Sequence, residues 1–286
     1  MCRLFGFRSV IPSMVHRSLL AADNALGWQS ERHPDGWGVA YYVDGAPHVT
    51  KSAATALHDS LFRRVSGIVS SETVLAHIRK ATVGELSVLN SHPFQYGRWV
   101  FAHNGDVPAF EEVRERLLAE VSPRLRRFVL GDTDSEILFF LFLSELERIG
   151  PLGGHYELAP AMEAMRRTVR TARQISDQRP GRERSLLTFI ATNGSVLVAT
   201  RGGKELYWSS YKRRCADRDT CSSLSYECEH PSQSGKVNHL ILSSEPLGGE
   251  NVWIEMPEDH LIGVDAGMRL SQESLEPKAS RLVVVS

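Results

Sequence analysis

The order of its strand-like and helix-like runs is the feature of this sequence that most constrains its fold. Two blocks rich in strand-like runs, one before position 106 and one after position 185, flank a middle block, 109–175, with apolar residues at three- and four-residue spacing. Regular alternation of strand and helix builds a doubly wound parallel sheet, whereas separate blocks of each build stacked layers. We therefore predict an α+β fold in a single domain, 1–286, and we find no internal repeat.

The first block predicts four strands, a hairpin and a helix. The predicted strands are CRLFGF (2–7), WGVAYYV (37–43), TVLAHIRKA (73–81) and RWVFAHNG (98–105). The Asp-Gly step at 44–45 predicts a tight hairpin that continues into HVTKSA at 48–53. Residues 13–28 have helical spacing, and Ser13 is a suitable N-cap.

The middle block predicts three helices, and strands return after it. The predicted helices are AFEEVRERLLAEV (109–121), DSEILFFLFLSELERIG (134–150) and APAMEAMRRTVRTARQI (159–175). A charged loop is expected at 177–185. LLTFIATNGSVLVAT (186–200) predicts the clearest hairpin, because Asn193-Gly194 suits a two-residue primed turn. The later strand-like runs are ELYWSSY (205–211), NHLILSS (238–244), HLIGVD (260–265) and RLVVVS (281–286).

Composition narrows the class of function. A formal net charge of −1 argues against a nucleic-acid partner, because phosphate binding needs a basic surplus. The longest apolar stretch, 137–143, is shorter than the roughly 18 residues of a membrane span, and the N-terminal residues lack the pattern of a secretory signal. One cysteine at position 2 and three within 215–228 do not form a secreted disulfide framework. We therefore expect a cytoplasmic protein with no membrane partner.

Cys2 is a candidate nucleophile. Removal of Met1 would expose the α-amino group of Cys2, whose reference pKa of about 8 lets it take the thiol proton directly or through a water. The resulting thiolate needs no separate histidine base. Alternatively, Cys2 is a small apolar residue packed in an edge strand, and the residue alone leaves both interpretations open.

Three further polar stretches lie where strands end or a helix begins. The Asn104 side chain and the Gly105 backbone N–H suit an oxyanion hole, although Asn-Gly is also a common turn. Arg79 ends a predicted strand and suits bidentate binding of a carboxylate, or alternatively a solvated ion pair. Asp134 begins a helix and suits binding of an ammonium group, although a helix-capping role explains it equally. Together, Arg79 and Asp134 suit the two charged ends of an α-amino acid.

In order and spacing, these stretches resemble class II glutamine amidotransferases of the N-terminal-nucleophile hydrolase superfamily. The matching pieces are Cys2, DGWG (35–38), HIRKATVGE (77–85), SHPF (91–94), AHNG (102–105) and DTDSE (132–136), with SSEPLGG (243–249) matching less specifically. The resemblance implies a four-layer αββα sandwich. The chain is most similar to the stand-alone members, among them the γ-glutamyl amide hydrolases of ergothioneine synthesis and of glutathione degradation.

The resemblance also implies a role for each matched residue. Cys2 would be the nucleophile after loss of Met1, with Asn104 and Gly105 as the oxyanion hole. The implied substrate-binding residues are Arg79 and Thr82 for the α-carboxylate of a glutamyl group, Asp134 for its α-ammonium, and His92 with the DGWG turn for the pocket wall. No cofactor and no metal are implied.

The implied reaction is hydrolysis of glutamine or of a γ-glutamyl conjugate, with release of glutamate and ammonia or an amine. Lys80 and Val83 stand where many synthase-linked members carry Trp and His, and the resemblance leaves no second domain to consume ammonia. Two alternatives stay open: a glutaminase subunit that passes ammonia to a separate synthase partner, and a non-catalytic glutamyl-binding module. The matched residues address only the glutamyl end, so the amine side of the substrate and the oligomeric state are left open.

The late cysteines raise the alternative of a structural zinc site. Cys215, Cys221, Cys228 and His230 are suitable ligand types, but five, six and one residues separate them and no CxxC knuckle is formed. We favour an irregular surface loop.

Overall fold

Two antiparallel sheets form the centre of the structure, a computed structural model that describes residues 2–22, 24–178 and 183–276. The strands are β1 (Arg3–Met14), β2 (Trp37–Val43), β3 (Ala46–Ser52), β4 (Ser70–Ile78), β5 (Phe94–Tyr96), β6 (Trp99–Asp106), β7 (Leu186–Thr192), β8 (Leu197–Arg201), β9 (Tyr207–Ser209), β10 (His239–Ser243), β11 (Ile254–Glu255), β12 (His260–Val264) and β13 (Leu270–Ser274). One sheet has seven strands in the order β11-β9-β10-β1-β4-β2-β3, and the other has six in the order β13-β12-β8-β7-β6-β5.

Helices cover the outer faces of the two sheets. The α-helices are α1 (Leu26–Gln29), α2 (Ser60–Ile68), α3 (Phe110–Glu120), α4 (Pro123–Arg126), α5 (Asp134–Ile149) and α6 (Leu158–Ser176). A π-helix (Arg17–Ala21) and short 3₁₀ turns at Ala56–His58 and Tyr226–Cys228 complete the described helical segments. None of the described helices has both the length and the apolar character that crossing a membrane requires.

The layers follow from side-chain alternation along the strands. On β1, Leu4 points into the core between the sheets, whereas Phe5 points to the outer core under α1 and α2. On β6, Val100 and Ala102 face the other sheet, whereas Phe101 packs against α5. Helices, sheet, sheet and helices therefore stack in that order, and the predicted αββα sandwich is confirmed.

The long N-terminal helix predicted at 13–28 is wrong. Strand β1 runs through Met14, because its second half pairs with β4 in the register Ser13 with Ser71. Ser13 is therefore no N-cap, and its hydroxyl donates to the Ile11 carbonyl at 3.2 Å. The apolar spacing reflects the packing of Leu19 and Leu26 on the outer face of the seven-stranded sheet. Sheet pairing replaces the predicted helix only at Ser13 and Met14, and two short helical segments, Arg17–Ala21 and Leu26–Gln29, form in the rest of the run.

The two predicted hairpins both form, with different turns. Asp44 and Gly45 have φ values of 50° and 75° and directly join β2 to β3, as a two-residue primed turn requires. At the second hairpin the central pair is instead Gly194 and Ser195, since the Asn193 backbone N–H donates to Val196 O. The Asn193 side chain accepts from the Ser195 and Val196 N–H groups, each at 3.0 Å, and so caps the turn.

The remaining predicted strands and helices form with shifted ends, while β5, β11, β13, α2 and α4 were not predicted. The run at 73–81 ends as a strand at Ile78, which releases Arg79 from the sheet. The predicted strand RLVVVS and part of the predicted loop at 177–185 lie outside the described residues.

Candidate active site

Cys2 lies at the start of β1, which runs between β4 and β10 near the middle of the seven-stranded sheet. Because side chains alternate, Cys2 belongs to the same face as Leu4, the face that points to the second sheet. The Lys80 backbone N–H donates to Cys2 Sγ at 3.3 Å. Burial raises the pKa of the Cys2 thiol, and the Lys80 N–H and the Arg79 charge oppose that rise. A nucleophile in this position therefore needs a base.

The DGWG turn holds the segment that follows β4 beside Cys2. Asp35 accepts a hydrogen bond from the Ala81 N–H at 2.8 Å, and its own N–H donates to Arg79 O at 3.2 Å. The Arg79 N–H in turn donates to Gly36 O at 2.8 Å. Asp35 therefore fixes the backbone on both sides of Lys80, the residue that binds the Cys2 sulfur.

The Arg79 guanidinium is buried under the loop that follows it. It donates to Glu85 O at 3.1 Å and to Val83 O at 3.0 Å. Burial lowers the pKa of Arg79, and the nearby acidic groups of Cys2 and Asp134 oppose this.

Asn104 and Gly105 lie at the end of β6 that faces the start of β1. Asn104 follows Val100 and Ala102 on the inner face, is 3% exposed, and donates through Nδ2 to Ser244 Oγ at 3.4 Å. At Gly105 a Cβ would lie 1.7 Å from Leu186 O, so no larger residue fits without a shift of the backbone.

The direction of the Gly105 N–H follows from the strand register. Gly105 pairs with Leu187 of β7, but the Leu187 N–H donates to Gly202 O at 2.8 Å on the β8 side. The pair is therefore a non-hydrogen-bonded one, and the Gly105 N–H points away from β7. On that side β5 stops at Phe94, opposite Phe101, so β5 does not extend to Gly105.

Asp134 connects the first turn of α5 to the end of β6. Thr133 is the N-cap, since its side chain accepts from the Glu136 N–H at 3.3 Å, and Asp134 is an acidic residue of the first helical turn. The buried Asp134 carboxylate accepts from the Val107 N–H at 2.8 Å and from the Ser135 N–H at 2.6 Å. The Asp134 carboxylate therefore contacts the backbone of Val107, which is two residues after Gly105 in the sequence.

His92 is buried among aromatic rings and does not line the open cleft next to Gly105. It is 4% exposed, and its ring centroid lies 4.2 Å from His77 and 4.6 Å from Phe94. His103 lies next to His77, because its carbonyl oxygen is 3.1 Å from His77 Nε2. Burial lowers the pKa of all three histidines, that of His77 to about 3.

Beyond Asp35, the DGWG turn contributes through its backbone, because Trp37 is a core residue. Trp37 is fully buried in the outer core and donates to Asp59 at 2.9 Å. Gly38 is needed because a Cβ there would lie 2.1 Å from His92 O. The glycine lets the SHPF backbone pack directly on β2.

An open cleft of about 330 Å³ lies beside the end of β6, where Asp106 follows Gly105. Thr82 and Val83 line one side, and the segment from Asp106 to Glu112 lines the other. Burial and the nearby Asp134 charge raise the pKa of Asp106. Thr82 is exposed in this cleft, next to the loop that covers Arg79.

Sequence reasoning missed three residues that join these pieces: Asp35, Asn90 and Ser244. Asn90 donates to Glu85 O at 3.0 Å and accepts from the Asp132 N–H at 3.2 Å, so it ties the loop over Arg79 to the segment before Asp134. Each lies in or directly beside a matched motif, and that position was the available signal.

The late cysteines are not assembled into a metal centre. Among residues 2–22, 24–178 and 183–276, no group of three or more His, Cys, Asp or Glu side chains could hold a metal ion. Cys228 Sγ accepts from Asn238 Nδ2 at 3.0 Å, and the Cys215 N–H donates to Glu229 at 2.6 Å.

The matched sequence decides the family. The model of the family described as class II glutamine amidotransferases matches residues 1–282. The chain belongs to this family. The predicted resemblance is confirmed, as is the prediction that the chain is an enzyme of this class.

Curated relatives of this class II amidotransferase include both amidotransferases and a hydrolase. The chain is 30% identical to the probable glutamine amidotransferase DUG3 of Saccharomyces cerevisiae, over 92% of this chain and 82% of the relative. It is 27% identical to the gamma-glutamyl-hercynylcysteine sulfoxide hydrolase of Mycobacterium tuberculosis, over 80% of this chain and 75% of the relative.

Solved structures show the same fold. A class-II domain protein from Silicibacter pomeroyi superposes with a TM-score of 0.61 at 22% identity, over 96% of this chain and 100% of the other. The glutamine phosphoribosylpyrophosphate amidotransferase of B. subtilis gives a TM-score of 0.60 at 14% identity, over 96% of this chain and 49% of the other.

Proposed function

We propose that this amidotransferase hydrolyses the γ-amide of glutamine or of a γ-glutamyl conjugate through a thioester on Cys2. The observation that carries the proposal is a shared hydrogen-bond acceptor. Ser244 Oγ accepts from the Leu4 N–H at 2.9 Å and from Asn104 Nδ2 at 3.4 Å. The strand that begins with the nucleophile and the strand that ends with the oxyanion hole therefore meet at one point.

The chemical steps use this chain's own groups and water. After loss of Met1, the α-amino group of Cys2 takes the thiol proton, which offsets the unfavourable burial of the thiolate. The sulfur attacks the γ-carbonyl carbon, and the oxyanion accepts from Asn104 Nδ2 and the Gly105 N–H. The ammonium returns its proton to the leaving nitrogen as the C–N bond breaks, leaving a γ-glutamyl thioester. Water then attacks the thioester, and glutamate and the thiol are released.

Arg79 and Asp134 supply the charges that recognise the glutamyl α-carboxylate and α-ammonium. Arg79 carries five N–H donors, and its bonds to Val83 and Glu85 leave others available. The Asp134 carboxylate keeps acceptor capacity beyond its bonds to Val107 and Ser135. Thr82, exposed in the adjoining cleft, would bind the same carboxylate.

The test is glutamate release by protein whose N-terminal residue has been identified by intact mass. Glutamine, γ-glutamyl dipeptides and γ-glutamyl alkylamides are offered at equal concentration. We expect turnover with the parent and a fall of at least about 10⁴-fold in Cys2→Ala, because the covalent route is removed. Cys221→Ala, which changes another partly exposed free cysteine, is the matched control and should keep the parent rate.

Turnover by Cys2→Ala near the parent rate would contradict the mechanism. A mass increase of one glutamyl group on Cys2 after acid quenching would support the thioester directly. Preference for glutamine would indicate ammonia supply to a partner, and preference for a conjugate an amidohydrolase. No glutamate from any compound would favour the glutamyl-binding module.

A further inference from the structure

Ser244 occupies the junction between the two halves of the proposed site. It follows β10 directly, is 5% exposed, and its N–H donates to Leu4 O at 3.1 Å, which extends the β10–β1 pairing by one residue. Its side-chain oxygen has two donors from opposite sheets: the Leu4 N–H on β1 and the Asn104 amide on β6. The Ser244 hydroxyl thus connects the two sheets by hydrogen bonds.

The residue after Ser244 holds the other side of the nucleophile. Glu245 forms an ion pair with Arg3, and Arg3 donates to the Cys2 carbonyl at 3.4 Å. Glu245 therefore binds the Arg3 side chain. Ser244 binds the Leu4 backbone and the side-chain amide of Asn104. Cys2 is the residue immediately before this fixed segment.

We propose that Ser244 is a positioning residue, which sets the Asn104 amide relative to the Cys2 strand for stabilisation of the oxyanion. The inference rests on the proposed function, since it concerns the same transition state. Ser244 does not touch the reacting atoms in this scheme. It acts through Asn104.

The hydrogen-bond inventory of the Asn104 amide supports this assignment. Asn104 Oδ1 is buried and has no partner among the described residues, whereas Nδ2 donates one hydrogen bond to Ser244 Oγ. Both bonds described for Ser244 Oγ are accepted ones, so its own hydrogen is uncommitted. A half-turn of the amide lets Ser244 donate to Oδ1 and frees both Nδ2 hydrogens for the oxyanion. In either orientation Ser244 is the anchor.

Kinetics of Ser244→Ala test the proposal with the compound that the parent hydrolyses fastest. We expect kcat to fall about ten- to a hundredfold while KM stays within about twofold, because glutamyl binding by Arg79 and Asp134 is left in place. Ser244→Thr keeps the hydroxyl and should remain within about fivefold of the parent. Ser209→Ala is the matched control: Ser209 is fully buried and donates to Tyr211 O at 3.0 Å, away from Asn104.

A double-mutant cycle separates positioning from general loss of structure. In an Asn104→Ala background, Ser244→Ala should lower kcat by less than about twofold, because the group that Ser244 positions is already absent. Equal losses in the two backgrounds, an unchanged kcat in Ser244→Ala, or equal losses in the Thr and Ala variants would overturn the proposal. An inactive parent would overturn the proposed function itself, whereas an active parent with an unaffected Ser244→Ala overturns this inference alone.

Discussion

The candidate active site and the cysteine loop at 215–230 both contain cysteine thiols and acidic side chains. In the first these groups are distant in sequence and connected by hydrogen bonds, and in the second they are close in sequence but form no common site. The active-site residues are spread from position 2 to position 134, yet shared hydrogen bonds connect their strand ends. The cysteine loop keeps three thiols and a histidine close in sequence, but it bonds mainly to itself, as in the Cys221 N–H to Asp217 O bond at 2.8 Å. In the candidate active site, the ends of antiparallel strands from two sheets bring together residues that are distant in sequence. In the cysteine loop, a series of turns keeps apart thiols that are close in sequence.

The largest effect is expected at Gly105, where the active-site backbone has no spare volume. In Gly105→Ala the new Cβ would lie 1.7 Å from Leu186 O, so the oxyanion hole must shift. We expect kcat to fall more than about 100-fold and the free energy of unfolding to fall by about 3 kcal/mol. Steady-state kinetics and urea unfolding measure the two effects. Gly67→Ala, in α2 where a Cβ meets nothing within 4 Å, should keep kcat and should not lower the free energy of unfolding, since Ala favours a helix more than Gly does; a similar loss in both variants would contradict the steric argument.

A smaller loss is expected for Asp134→Asn. The carboxylate accepts backbone bonds from Val107 and Ser135, and the amide loses one acceptor and the negative charge. We expect KM to rise about ten- to a hundredfold, with a cost of about 1–3 kcal/mol in stability. Asp219→Asn, in the exposed cysteine loop, is the matched control and should alter neither KM nor the unfolding midpoint. An unchanged KM in Asp134→Asn would remove this residue from the substrate site.

Acid should destabilise the protein through the buried histidines beside the candidate active site. Burial lowers the pKa of His77 from 6.5 to about 3, so between these values the unfolded chain binds the proton that the folded chain excludes. This stability contribution is present above pH 6.5 and is lost as pH falls towards 3, at about 1 kcal/mol per pH unit. Urea unfolding at pH 7, 6 and 5 measures the slope. His77→Gln should make the slope shallower, while His92 and His103, whose pKa values burial also lowers, continue to contribute. An equal slope in that variant would assign the acid sensitivity to other groups.

The smallest effect is expected from replacing all three late cysteines with serine. Cys215 and Cys228 are buried but belong to no metal-ligating group of the described residues. We expect glutamate release within about twofold of the parent and a stability loss near 1 kcal/mol. Metal analysis of the parent provides the second measurement. About one zinc per chain in the parent, lost in the triple variant, would restore the zinc interpretation.

The sequence predicted the parts of the site that short motifs encode, but not the contacts that join them. Cys2, Asn104 and Asp134 were found because each lies at the end of a recognisable run. Ser244 was missed as a functional residue because its partners, Leu4 and Asn104, are 240 and 140 residues away, and its place in the weakly matched SSEPLGG stretch does not reveal those contacts.

Local backbone chemistry explains which secondary structure could be predicted. The turn at Asp44-Gly45 is determined by the left-handed φ of its own two residues, so the dipeptide suffices. At the start of 13–28, by contrast, Ser13 and Met14 pair with β4, and the periodicity of the segment alone cannot reveal that β1 continues in the sheet. The burial of His92 against His77 likewise depends on strands that are distant in sequence, and its place in a pocket wall stays a prediction.

The position of β1 has a consequence for when the site comes into existence during synthesis. The strand that begins beside Cys2 pairs with β10, whose residues Ser243 and Leu242 align with Phe5 and Gly6. A growing chain therefore carries its exposed thiol for most of its synthesis without the strand that completes the surrounding sheet. Chains released before β10 would lack both Ser244 and the strand that pairs with β1 beside Cys2, so the proposed amidase activity would report that synthesis has passed β10. The residues around Cys2 become chemically useful only when a strand distant in sequence folds beside them.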